Sequence, residues 1–445
     1  MSLNNKIAVA SLGCAKNLVD TENMLGLLAD EGYTFVSAPE EADIILVNTC
    51  AFIGDAKEES INTILDMAQY KQEGNCKLLI VAGCLAERYH EEIKRELPEV
   101  DAIVGTGDFP SICSTIHDAM EGKAVCLYGH SEAFALDHMP RMLTTPQHYA
   151  YLKIAEGCDN HCTYCIIPSL RGKYRSRTME DIVDEARHLA ADGVKELLLI
   201  AQDTTRYGTD LYGSPTLPKL LERLCEVEGI EWIRLHYCYP EAITDELLDT
   251  IASNRKLLHY FDIPIQHAND NILKRMGRKT NKAQLVTLIN KIRAKLPDAA
   301  LRTSLIVGFP GETRADFREL FDFTAQMQFD RVGVFAYSRE EGTPAARLEK
   351  QVDPRTKQRR RDKLMALAQV ISLEKNEAKV GTTLDVLCDG FDEESMLYYG
   401  RSAADSPGVD SLVYFGARAE VSPGDLVRVK VLCAQEYDLM GEMVL

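Results

Sequence analysis

The chain has 445 residues, more than a single hydrophobic core usually serves, so two or three domains are expected. Its 46% hydrophobic and 27% charged content is that of an ordinary soluble globular protein, and no apolar run approaches the ~20 residues that span a bilayer. A net charge of −18 opposes general binding to phosphate backbones and favours a basic partner; thirteen cysteines, an odd number with no signal-peptide core near Met1, exclude a disulfide framework and fit a reducing cytoplasm with some thiols on metal.

From residue 6 to 130 strand and helix patterns alternate. Strands are expected at Ile7–Leu12, Ile44–Asn48, Leu78–Ala82, Ala102–Val104 and Ala124–Leu127, with helices beginning near Asn17, Ala56, Ala86 and Phe109. Such alternation predicts an α/β domain with an open parallel sheet. Three of the strands end in cysteine, as Ser11-Leu-Gly-Cys14, Val47-Asn-Thr-Cys50 and Val81-Ala-Gly-Cys84. Ligands of these sheets bind beyond the carboxyl ends of the strands, so the three thiols are expected to converge on one rim as a metal site. Three inert core cysteines are the plainer reading, but they would have no reason to share that position.

Residues 131–148, with Pro140, Thr144, Thr145 and Pro146, read as a linker. A second alternating region has strands at Tyr151–Glu156, Glu196–Ala201, Trp232–His236, Phe261–Ile265, Leu301–Val307 and Arg331–Ala336, separated by amphipathic helices such as Met179–Asp192 and Ala315–Met327. Six βα units predict a complete or partial (β/α) barrel, with its site at the carboxyl ends of the strands. Residues 353–380 form a charged helix containing Arg359-Arg-Arg361, read as a solvated face. From Thr382 onward, short strands at Leu384–Cys388, Leu397–Arg401, Leu412–Tyr414, Leu426–Leu432 and Asp438–Val444 predict a small antiparallel β-barrel. Asp389, Asp392, Glu393, Glu394, Asp405 and Asp410 make that module acidic, which disfavours direct RNA binding.

Cys158-x3-Cys162-x2-Cys165 follows the first strand of the second region, on the face where barrel sites lie. Three thiolates so close in sequence can hold three irons of a 4Fe–4S cluster and leave the fourth open for chemistry. Zinc sites usually pair two short Cys/His clusters; here there is one compact triplet, and His161 inside it reads as a loop residue. The cysteines at 76, 113, 126, 225, 238, 388 and 433 read as packing residues.

These motifs resemble the radical S-adenosylmethionine (SAM) superfamily, and the whole chain resembles its methylthiotransferase family. The likeness is carried by Ser11-Leu-Gly-Cys-Ala-Lys-Asn17, Asn48-Thr-Cys-Ala-Phe-Ile53 and Gly157-Cys-Asp-Asn-His-Cys-Thr-Tyr-Cys165. It implies an N-terminal domain over 4–130, a radical SAM core over 144–376 built as a partial (β/α)6 barrel, and an OB-like TRAM domain over 378–445. It also implies two 4Fe–4S clusters: one on Cys158, Cys162 and Cys165, whose open iron binds SAM, and an auxiliary one on Cys14, Cys50 and Cys84, whose open iron carries sulfur. Tyr164 holds the position beside the adenine, or is ordinary packing. Gln202 and Asp203 stand where relatives contact SAM, so their role is inferred from position. Gly308, in Val307-Gly-Phe-Pro-Gly-Glu-Thr313, lets backbone approach the cofactor, or simply makes a tight turn. No catalytic residue beyond the cluster ligands is expected.

Such cofactors serve unactivated C–H bonds, which offer no proton to a side-chain base. The family divides into enzymes that modify adenosine in tRNA and enzymes that methylthiolate the β-carbon of an aspartate in small-subunit ribosomal protein uS12. Ala155-Glu-Gly-Cys-Asp-Asn-His161, Pro168-Ser-Leu-Arg-Gly-Lys-Tyr-Arg-Ser-Arg177 and Ala201-Gln-Asp-Thr-Thr-Arg-Tyr-Gly208 resemble the protein-modifying group. The acidic C-terminal module fits the same choice, since ribosomal proteins are generally basic. The expected reaction uses two SAM, one for the 5′-deoxyadenosyl radical and one as methyl donor. The expected partners are uS12, free or in the small subunit, an electron donor such as flavodoxin or ferredoxin, and a sulfur source. A tRNA adenosine (position 2) methylthiotransferase is the alternative, and a non-catalytic iron–sulfur carrier is the rival of another class.

Overall fold

Ile44–Thr49 and Leu78–Gly83 are buried at every position, as strands covered on both faces must be. In the computed structural model, which describes residues 5–130 and 137–444, they are β3 and β4 of a parallel sheet. Its other strands are β1 (Lys6–Ser11), β2 (Thr34–Phe35), β5 (Ala102–Val104) and β6 (Val125–Leu127), in the order β2-β1-β3-β4-β5-β6. Alternate residues feed two cores. Ile44, Leu46, Leu78 and Ile80 pack with Met24 and Leu28 of α1 (Ala15–Asp30) and with Ile112 and Ile116 of α4 (Ile112–Met120). Ile45, Val47, Leu79 and Val81 pack with Ile64 of α2 (Gly54–Glu73) and Ile93 of α3 (Cys84–Glu96).

The chain forms two compact units: Met1–Thr144 with Ala155–Asp181 and Glu340–Thr343, and Thr145–Ile154 with Ile182–Arg339 and Pro344–Leu445. The expected linker falls partly outside the described residues, at 131–136. Its later part is packed rather than loose. Arg141 Nη2 lies 2.6 Å from the fully buried Glu22 carboxylate, which also accepts from the Thr144 N–H at 2.8 Å. A Cβ on Gly26 of α1 would stand 2.6 Å from Pro140, so the segment runs tightly across that helix.

In the second unit, β7 (Tyr149–Lys153) is one edge of a second parallel sheet. Two short strands of the first unit follow it in the chain, β8 (Ala155–Glu156) and β9 (Arg175–Ser176), and pair antiparallel. The second sheet continues with β10 (Glu196–Ile200), β11 (Trp232–Leu235), β12 (Leu257–Asp262), β13 (Ala300–Val307) and β14 (Arg331–Ala336). The order β14-β13-β12-β11-β10-β7 adds each βα unit beside the last, giving a partial barrel. β12 begins four residues before the expected Phe261–Ile265 and ends at Asp262, short of Pro264, which has no N–H for the ladder. Pairing resumes only as a single bridge from Gln266 to Leu305.

The helix Pro354–Glu377 is capped by Asp353, whose side chain accepts from the Thr356 N–H. Then β15 (Thr383–Asp392), β16 (Leu397–Ser402), β17 (Val413–Gly416), β18 (Leu426–Ala434) and β19 (Leu439–Met443) close into a five-stranded barrel in the order β15-β16-β17-β19-β18. Four of its pairings are antiparallel, and β17 with β19 is parallel. Buried charges dock this barrel on the second sheet. Glu196, fully buried, accepts from Arg234 of β11 at 2.8 Å and from Arg401 of β16. Arg401 also pairs with Asp389 at 2.8 Å, Arg331 with Asp405, and Arg302 with Asp410 at 3.2 Å. Three of the six acids that make the module acidic are therefore paired with arginines, leaving Asp392, Glu393 and Glu394 at a hairpin tip. Cys433 is exposed, against its expected packing role. Among the described residues no helix is long and apolar enough to cross a membrane.

Candidate functional site

Cys14, Cys50 and Cys84 stand at the carboxyl ends of β1, β3 and β4, three neighbouring strands. The order reverses between β1 and β3, the switch point where such sheets open a ligand crevice. Two turns have the same local logic. Gly13 and Gly83 both adopt φ +90°, and the next residue, Cys14 or Cys84, lies at the start of a helix. Helix N-termini favour thiolate over thiol. A Cβ on Gly13 would lie 2.7 Å from the Cys50 Cβ and 3.0 Å from its Sγ, so the glycine brings Cys14 against its neighbour. Ser60 fixes Cys50 from behind: its Oγ accepts from the Cys50 N–H at 3.0 Å and donates to the Cys50 carbonyl at 2.9 Å.

The three thiols feel one another electrostatically. Burial, with charge on Cys14 and Cys50 adding to it, pushes Cys84 up to about 12 against the pull of Arg171. Burial and Cys14 likewise raise Cys50. Cys14 opens to solvent, yet protein crowds its sulfur enough for desolvation to oppose ionisation. Lys16, Arg171 and the Asn17 and Lys16 backbone nonetheless bring it below the usual thiol value. A trio like this ionises together only around a cation, which a metal group supplies. Among the described residues no three His, Cys, Asp or Glu side chains converge tightly enough to hold a single ion. Three thiols at neighbouring strand ends, one of them brought below the usual thiol value, are a donor set that fits a cluster with one thiolate on each iron.

The second triplet sits on a loop closed at its neck. β8 and β9 form the stem, the Cys158 N–H donates to the Gly172 carbonyl at 3.2 Å, and Gly157, at φ +81°, leaves no room for a Cβ, which would fall 2.0 Å from the Lys173 oxygen. Within the loop the Cys165 N–H donates to the Cys162 carbonyl at 3.0 Å, and the Ile167 N–H points at the Cys165 Sγ at 3.4 Å. Burial, together with charge on Cys162 and Cys158, pushes Cys165 up to about 12. Cys158 and Cys162 are buried, His161 is exposed at φ +49°, and Tyr164 is half-buried. The loop ends in α5 (Ile167–Arg171); Ile166 just before it and Leu170 within it enter the first unit's core. Both triplets therefore belong to one compact unit.

Arg171, which the sequence reading passed over, links them. Its side chain is 2% exposed, and its guanidinium donates to Asp20 of α1 at 2.8 Å and to Glu156 of the stem at 2.9 Å. It also reaches Asn17 Oδ1 at 3.3 Å and the Cys84 Sγ at 3.7 Å. Only its place in a family-like motif marked it; a buried arginine has no periodic signature. Gln202, Asp203 and Gly308 lie in the second unit, after β10 and β13. Asp203 is buried and accepts from the Thr205 hydroxyl. Gly308 has φ +74°, and its N–H and that of Phe309 donate to Glu312, which Arg360 holds at 2.9 Å. Burial pushes Glu312 up to about 7, against the pull of Arg360 and the two N–H groups.

Comparison with known proteins gives three family matches: the uncharacterized protein family UPF0004 over residues 6–105, the radical SAM superfamily over 152–324 and the TRAM domain over 380–444. Relatives described as ribosomal protein uS12 methylthiotransferase RimO align over the full length. The one from Lachnoclostridium phytofermentans is 52% identical over 98% of this chain and 99% of its own. The one from Clostridioides difficile is 52% identical over 99% of each chain, and that from Geobacter sulfurreducens 50% over 99% and 98%. Among solved structures, the radical SAM methyltransferase TsrM from Kitasatospora setae, with cobalamin and a 4Fe–4S cluster bound, superposes at TM-score 0.56 with 13% identity, covering 86% of this chain and 81% of that one. That likeness speaks for the fold alone.

Proposed function

The chain belongs to the uS12 methylthiotransferase family of radical SAM enzymes, and from that premise we propose that it methylthiolates the β-carbon of an aspartate in ribosomal protein uS12. The observation that carries the reading is the pair of cysteine triplets, one at the rim of the first sheet and one on a closed loop, in a single compact unit. Cys158, Cys162 and Cys165 would hold one 4Fe–4S cluster, and Cys14, Cys50 and Cys84 a second. Bound there with two SAM, these groups supply one-electron C–H activation, a sulfur atom for insertion and a methyl group.

The chain's own residues position and exclude. The β8–β9 stem and Gly157 fix the loop, burial of Cys158 and Cys162 keeps water from their ligand atoms, and Ser60 fixes the Cys50 backbone. Tyr164, Gln202, Asp203 and Gly308 are the proposed SAM contacts. The domain division 4–130, 144–376 and 378–445 is proposed on family grounds. The hairpin tip with Asp392, Glu393 and Glu394 remains available to a basic protein. An electron donor such as flavodoxin or ferredoxin, a sulfur source and a cytoplasmic setting complete the proposal.

The test offers uS12 and tRNA together to reduced, cluster-loaded protein under anaerobic conditions, with mass spectrometry of both. A methylthio group on an aspartate of uS12 is expected, and modification of tRNA alone would overturn the substrate. Cys14→Ala should still cleave SAM to 5′-deoxyadenosine yet lose sulfur insertion. Full methylthiolation by that variant would remove the second cluster from the scheme.

A further inference from the structure

The geometry points to Arg171 as a positioning residue that ties the two cysteine triplets together and sets the reduction potential of the group held by Cys14, Cys50 and Cys84. The inference rests on the two-cluster reading above. Arg171 stands six residues beyond Cys165, most of them in α5, so its backbone belongs to the loop of one triplet. Its guanidinium belongs to the other: Nη2 lies 3.7 Å from the Cys84 Sγ and 3.3 Å from Asn17 Oδ1. Asp20 and Glu156, both on Nη1, fix the planar fork from two further segments. A fork gripped on one side presents its remaining N–H groups in a set direction, which a lysine ammonium does not.

A purely structural ion pair needs no thiol. Here the donor is aimed at one of the proposed ligand sulfurs, Cys84, and both are buried. Hydrogen bonds to cluster sulfurs withdraw electron density and favour the reduced state, as do partners behind metal ligands in general. Arg171 therefore raises the auxiliary potential, while its bonds to Glu156 and Asp20 hold the stem of the other cluster's loop against α1.

The test is a redox titration of both clusters, followed by electron paramagnetic resonance on reconstituted protein without SAM. In R171K the ammonium keeps the charge between Asp20 and Glu156 but gives up the N–H to Cys84. The auxiliary signal should then need a lower potential, changing its reduced-to-oxidised ratio about tenfold, or ~59 mV for a one-electron couple. The Cys158–Cys165 signal should move by less than half of that. R171M, which removes the charge too, should shift the auxiliary signal further; where it unfolds because Asp20 and Glu156 are left unbalanced, R171K decides. An unmoved auxiliary potential in folded, iron-loaded R171K overturns the inference and leaves the two-cluster reading intact. Iron and spectra in Cys50→Ala equal to those of the parent protein would instead overturn the two-cluster reading itself.

Discussion

Gly13 shows how much the site asks of one residue. Its φ of +90° is unfavourable for any side chain, and a Cβ there would press on Cys50 at 2.7 Å. Gly13→Ala should lower stability by about 1–3 kcal/mol and reduce iron loading, read from the melting temperature and iron per chain. Gly122 has φ +81° with nothing near its missing Cβ, so Gly122→Ala carries the strain alone and should leave iron loading unchanged. At this scale the sequence was eloquent about cysteines and silent about their neighbours. Thiols at Cys158-x3-Cys162-x2-Cys165 announce themselves because few other uses demand that spacing. Arg171, Glu156 and Asp20 do not, since what matters about them is burial against one another, and they lie as many as 151 residues apart.

Among the elements, α5 is short, and its placement depends on two apolar anchors rather than on its own propensity. Leu170 is 2% exposed within the core behind β3 and β4, and its carbonyl accepts from the Thr106 hydroxyl. Leu170→Ala should lower stability by about 2–4 kcal/mol, seen in chemical unfolding, and should loosen Arg171 with it. Most strands and helices were legible from periodicity, though β12 starts earlier than expected and stops before Pro264. The membership of Ala155–Asp181 in the first unit was not. Periodicity tells which face of an element is apolar and leaves open which core receives it.

For the whole molecule, the C-terminal barrel is bound to the second sheet by charges that must stay ionised. Burial would raise Glu196, Asp389, Asp405 and Asp262, but arginines and, for Asp389 and Asp262, histidines hold all four below the usual carboxylate range. Acids depressed in the folded state bind fewer protons there than when unfolded. Their stabilisation is complete above about pH 5, past the unfolded carboxylate values, and is lost as pH falls through each depressed value. Trp232, the only tryptophan, packs with Leu387 of β15, so its emission should shift to the red below pH 4 as the barrel lets go. Arg401→Met takes one of two cationic partners from each buried acid, leaving Glu196 to Arg234 and Asp389 to His148, and should cost about 3 kcal/mol, bringing that shift to higher pH. The sequence showed these acids only as surplus charge; their partners lie on other strands.

The first unit is assembled from distant stretches of chain. Arg88 of α3 and Lys57 of α2 close on Glu340, at 2.9 and 2.8 Å, and Arg88 also donates to the carbonyl of Ala51, next to Cys50. During synthesis Glu340 is made roughly 250 residues after Cys84, a wait of roughly 10–50 s at ordinary elongation rates. Nascent chains stalled before residue 340 should therefore expose Cys50 and Cys84 to maleimide more than the finished protein does. The rim that carries Cys50 and Cys84 is thus finished late, by a carboxylate that the ribosome supplies long after the thiols themselves.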